Sequence, residues 1–155
     1  MLVKHCIVSS MFNRNGDESF FGYYDEIPIN QKGQYVLFYS SKHPTFGKPH
    51  VKRIIILVLR TRNKIMLLKI PICVYNWQQG NRSHWLTDDL FVFNDYDANN
   101  KKCIARVRSA SLMREVKKFG MPIQVSYKTE YFLSLNYQRL MALCHDYGYR
   151  NLPEL

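Results

Sequence analysis

Asn76-Trp77-Gln78-Gln79-Gly80 sets one indole among side-chain amides. An indole face stacks on a sugar ring, and amides both donate to and accept from hydroxyls. The chemistry on offer at Trp77, Gln78 and Gln79 is therefore carbohydrate recognition. The same residues also suit a structural turn, with Gln79 tying neighbouring layers together and Gly80 allowing a tight backbone. Asn94, Asp95 and Asp97 form a second polar cluster. Their oxygens suit a divalent cation, or Asp95 suits general-base work, or the cluster closes a turn through side-chain-to-backbone bonds. Full calcium-loop spacing is missing, so no cofactor is expected and a cation is the alternative. Tyr23, Tyr24 and Asp25 suit equally a place in one ligand-facing opening with Trp77 or aromatic packing between neighbouring repeats, with Asp25 and Asp95 the carboxylates available for acid–base chemistry. Arg139 offers a bidentate clamp for a carboxylate or phosphate, or a partner for Asp95.

Other chemistries find no pattern. His5, His43, His50, His84 and His145 lack the spacing of metal ligands and read as solvated loop histidines. No GxSxG, Walker or GxGxxG segment exists, which removes support for nucleophile-elbow hydrolases, P-loop NTPases and dinucleotide enzymes. Cys6, Cys73, Cys103 and Cys144 are far apart and suit reduced thiols better than disulfides or zinc. Met1 to Arg14 lacks a secretory pattern, and Ile54 to Leu59 is too short to cross a bilayer. The expectation is a reducing, cytoplasmic protein with no membrane span.

The elements that must position these residues recur. Gln34 to Ser41, Asp89 to Asp95 and Glu130 to Tyr137 are each strand-like, aromatic-rich and preceded by a polar turn. Arg53 to Arg60 is apolar on both faces, as in a strand sandwiched between layers. Thr61-Arg62-Asn63-Lys64 turns it into a second strand, Ile65 to Ile70, which Pro71 should end. Cys103 to Arg108 alternates. Leu112 to Phe119 has helical spacing with Ser111 as a possible cap, yet the repeat favours a strand. Leu140 to Cys144 suits a strand or a short helix. Strands separated by polar turns, without intervening long helices, argue against βαβ units and for an all-β array.

The chain has 155 residues, 46% apolar and 14% aromatic, enough for a packed core and too apolar for disorder. The net charge is +10. Its lysines and arginines concentrate in Lys52 to Lys69 and Lys101 to Lys118, punctuating apolar strands. Such a balance attracts anionic partners or simply solvates outer strands. Nucleic acid is the less favoured partner, because the aromatics occupy strand positions that a β core consumes.

Four passages in order carry a resemblance: Phe20-Phe21-Gly22-Tyr23-Tyr24-Asp25 with Pro28; Asn76 to Gly80 followed by Trp85-Leu86; Phe93-Asn94-Asp95; and Ser134-Leu135-Asn136-Tyr137 with Arg139-Leu140 and Tyr147-Gly148-Tyr149. From about Phe20 to Tyr149 the chain resembles the N-terminal part of a bacterial β-propeller family. That family is found in capsule, lipopolysaccharide and other polysaccharide gene clusters, with a fold like oligogalacturonate lyases and Tol-type propellers. It departs at Ile29, where the family tends to have Trp, and at Ser83-His84. The lyases of this fold hold a metal largely through histidines lying further along, so no catalytic residue transfers.

The resemblance implies an all-β, partial β-propeller of about two to three four-stranded antiparallel blades. Residues 1–18 form a lead-in, 19–75 the first blade, 76–120 the second and 121–155 part of a third. At about 45 residues per blade this is too little to close a ring. Further blades, self-association or a rebuilt compact fold would have to cover the bare face. The implied function is glycan- or nucleotide-sugar-related binding or processing. A scaffold module and a fragment without activity of its own are the alternatives, and whether the chain is an enzyme stays open.

Overall fold

The computed structural model describes residues 17–42, 54–127 and 129–149. The described residues are mostly β, with antiparallel sheets of four, four and two strands and one short helix. The first sheet is a meander of β1 (Glu18–Phe20), β2 (Tyr35–Ser41), β3 (Ile54–Arg60) and β4 (Met66–Ile72). The second repeats that plan with β5 (His84–Trp85), β6 (Leu90–Asp97), β7 (Lys102–Ser109) and β8 (Arg114–Phe119). β9 (Val125–Tyr127) and β10 (Tyr131–Leu133) make a hairpin, and α1 (Tyr137–Leu143) follows.

Period-two alternation decides which residues meet. In β3, Ile54, Ile56 and Val58 join one buried cluster while Leu57 and Leu59 join another on the opposite face. A strand covered on both sides is what its unbroken apolar run requires. The first cluster bonds the sheets face to face: Leu37, Tyr39, Ile54, Ile56 and Val58 from the first pack with Phe91 and Phe93 from the second. The far side of the second sheet, Val92, Ala105 and Val107, packs against Ile123 and Phe132. The three sheets are thus layered in chain order.

Several expectations need correction. β4 runs through Pro71, which pairs with Ile55. β4 is an edge strand, so a residue without an N–H is tolerated there. Asp95, offered above as closing a turn, lies inside β6, because the ladder with β7 extends to Asp97 and Lys102. The third copy forms a strand only at Tyr131–Leu133. Asn136 then caps a helix, its Oδ1 accepting from the Arg139 N–H at 3.0 Å. Tyr137 therefore serves the helix, with its ring stacked on Tyr149 at 4.2 Å between centroids. Leu112 to Phe119, where helical spacing competed with the repeat, is a strand from Arg114. Among the described residues no helix is long and apolar enough to cross a membrane.

Candidate functional site

A groove of about 800 Å³ lies where one element from each sheet converges. The β1–β2 loop supplies Asp25, Glu26, Ile27, Ile29 and Gln31; β5 supplies His84 and Trp85; β9 supplies Val125 and Ser126.

The loop is fixed to both four-stranded sheets. Pro28 O accepts from Leu37 N at 2.9 Å and from Trp85 Nε1 at 2.8 Å. Asn30 Oδ1 accepts from the Gln34 and Tyr35 amides, while its Nδ2 donates to Asp88 O at 2.7 Å. Trp85 is locked by Tyr35 at 6.1 Å and Phe91 at 5.5 Å between ring centroids. The groove wall is therefore held rigidly before any ligand arrives.

Beneath the groove sits Arg82, with a side chain 2% exposed and φ of 58°. Its NH2 lies 2.9 Å from Glu26 Oε1 and 3.2 Å from Asp25 Oδ2, and its Nε donates to Gln124 O at 2.8 Å. Burial works against the guanidinium charge, but the hydrogen bond to Asp25 and the charges of Glu26 and Asp25 prevail and raise its pKa. Glu26 has a side chain only 12% exposed. Burial drives its carboxyl up to about 7, against the pull of Arg82 and with the push of Asp25.

His84 is buried, and its environment fixes its tautomer. Nδ1 lies 2.9 Å from Arg82 O, an oxygen that can only accept, so Nδ1 carries the hydrogen. Nε2 then offers a lone pair, and the Ser126 hydroxyl, 2.7 Å away, donates to it. Burial lowers the imidazole pKa to about 4, with the backbone bond to Arg82 opposing. Glu26 Oε1 stands 3.8 Å from Nδ1. A neutral base, a hydroxyl bonded to it and a carboxyl behind it thus line one wall.

The residues singled out from sequence are dispersed. Gln79 is buried; Trp77 and Gln78 are half-buried in the Asn76–Gly80 turn. Asn76 organises that turn: its Oδ1 accepts from Gln78 N at 2.8 Å and its Nδ2 donates to Asp146 O at 2.7 Å. Gly80 has φ of 59°, and a Cβ there would collide with the edge of the Tyr39 ring beside its hydroxyl. Asn94 is fully buried, its amide spent on Ile123 N, Ile123 O and Tyr149 OH. Asp95 pairs with Arg106 at 2.8 Å, not with Arg139, because β7 is its ladder neighbour. Arg139 is exposed on α1. Asp97 takes Lys118 at 2.7 Å and also accepts from the Asn99 amide, closing the turn. Tyr23 and Tyr24 lie with ring centroids 4.5 Å apart, Tyr24 being 91% exposed. Asp25 alone of the set lines the groove, paired with Arg82.

The histidine reading is corrected for His84, which lies buried in β5 beside Ser126 of the hairpin. His5, His43 and His50 lie outside the described residues, and His145 is exposed. Sequence reasoning also passed over Glu26, Arg82 and Ser126. The Arg82-Ser83-His84 run ahead of Trp85 was the signal the sequence offered; a lone Ser in a short strand gives none. Among the described residues no group of three His, Cys, Asp or Glu side chains converges for a metal.

Compared with known proteins, the chain matches no family model, no curated protein and no solved structure.

Proposed function

We propose that the chain is a carbohydrate-binding module of propeller type serving bacterial surface-polysaccharide assembly, with the inter-sheet groove as its ligand site. The observation that carries this reading is the groove's mixed lining. Ile27, Ile29 and Val125 offer apolar surface beside the hydrogen-bonding groups of Glu26, Gln31 and Ser126, which is the alternation that a sugar presents. The volume falls in the usual range for small-ligand clefts, about 300–1,000 Å³. The two successive four-stranded meanders, stacked face to face, support the blade reading. Titration calorimetry against neutral and acidic oligosaccharides tests it. Binding should weaken about two- to tenfold in Gln31→Ala, the worth of one hydrogen bond. No heat with any oligosaccharide, or equal binding by the variant, removes the reading.

A second reading, an interaction module, rests on the hairpin. Val125 and Tyr127 of β9 lie opposite Leu133 and Tyr131 of β10, all four on one exposed face. A two-stranded sheet with such a face is unusual for an isolated surface. Self-association through it predicts a sedimentation coefficient that falls to the monomer value in Tyr131→Lys with Leu133→Lys. A wild-type monomer at high concentration refutes this.

A further inference from the structure

We infer that Ser126 is a nucleophile, that His84 is its general base, and that the groove hydrolyses esters of small acyl groups. Three observations converge. First, the hydrogen bond has the required sense: Arg82 O consumes the His84 Nδ1 hydrogen, so Nε2 must accept from Ser126 Oγ at 2.7 Å. Second, Glu26 Oε1 lies 3.8 Å behind Nδ1, placed to stabilise the imidazolium that proton transfer creates. Third, Ser126 borders two cavities at once. On one side is the open groove of about 800 Å³. On the other is a pocket of about 100 Å³ whose walls combine apolar side chains such as Val92, Phe119 and Phe132 with the polar Lys117, Thr129 and Glu130. The small pocket has room for an acyl chain of about acetyl size, and the wide groove has room for the alcohol. That the alcohol is a sugar hydroxyl rests on the carbohydrate reading above; the ester chemistry does not.

The steps balance without a cofactor. Ser126 Oγ bonds to the ester carbonyl carbon as its proton moves to His84 Nε2. Collapse of the tetrahedral intermediate breaks the bond from that carbon to the alcohol oxygen, which takes the proton from Nε2. Water enters where the alcohol left, gives a proton to Nε2 and attacks the acyl carbon. The carboxylic acid departs as Ser126 Oγ recovers the proton.

The full chain is treated with a fluorophosphonate probe, which transfers its phosphonyl group to an activated hydroxyl with loss of fluoride, and the adduct is located by peptide mass mapping. One adduct on Ser126 is expected, absent from acid-unfolded protein, with labelling at least about 100-fold slower in His84→Gln. p-Nitrophenyl acetate should be cleaved faster than the octanoate, and Phe132→Ala should shift that preference toward the longer chain. No adduct on folded wild-type protein, or an adduct elsewhere, overturns the proposal and leaves the Ser126–His84 bond as a clamp of β9 onto the second sheet. Since neither probe contains sugar, labelling without oligosaccharide binding would sink the carbohydrate reading alone.

Discussion

Glu26 and His84 should cancel in the pH dependence of stability, and removing either should expose the other. Around pH 5.5 the folded protein holds one proton on this pair: Glu26, raised to about 7, is protonated, while His84, lowered to about 4, is neutral. The unfolded chain also holds one, but on the other residue, since the ordinary values are 4.5 for the carboxyl and 6.5 for the imidazole. Equal proton counts give no slope. In Glu26→Gln only His84 remains. Its folded pKa is depressed, so its stabilising contribution is present above 6.5 and is lost as pH falls toward 4. The slope approaches about 1.4 kcal/mol per pH unit. In His84→Gln only Glu26 remains. Its folded pKa is raised, so its contribution is present below 4.5 and is lost as pH rises through 7. That slope is equal and opposite, and near pH 5.5 the two variants should diverge by up to about 2.7 kcal/mol per unit. Burial is the leading cause of both shifts, and neither residue owes its shift to the other, so each survives its partner's removal. The neighbouring charges, Asp25 and Arg82, are present in every variant. Asp97 and Asp89, both held low, add a common acid-side background. Urea denaturation from pH 4.5 to 7.5 reads the slopes, and parallel profiles for the two variants would refute the proton count.

Three further outcomes follow from the geometry. Gly80→Ala meets both a positive φ and the Tyr39 ring, so it should cost about 2–5 kcal/mol in urea denaturation; Gly33→Ala, with φ of 68° and open space around it, should cost about 1–2 kcal/mol, and equal losses would discount the Tyr39 contact. Asn136→Ala removes the cap of α1 and should cost about 1 kcal/mol, seen as a lower thermal midpoint with the near-ultraviolet signal of the Tyr137–Tyr149 stack weakened. Cleavage of p-nitrophenyl acetate should rise about tenfold as pH passes through 7, because ionised Glu26 then faces the imidazolium; Glu26→Gln should flatten that rise, and an unchanged profile would detach Glu26 from the site.

Local pattern made part of this molecule readable. β3 announces its burial on both faces because Ile54, Ile56 and Val58 alternate with Leu57 and Leu59. The recurrence of strand and turn likewise foretells the meander order. Pro71 misled because its effect depends on whether its strand lies at an edge, which is a property of the sheet. Asn136 misled because the repeat outweighed a cap signal that was present in the residues themselves.

The sequence by itself determined a basic, aromatic-rich chain of short strands, since alternation and turn residues act over two to four neighbours. Only the tertiary structure decided what the polar residues do. Ser126 reaches His84 across 42 residues, and Arg82 reaches Asp25 across 57. Those meetings exist because the hairpin and the β1–β2 loop come together with the second sheet. Burial there, and not residue type, sets the tautomer of His84 and drives its pKa and that of Glu26 in opposite directions.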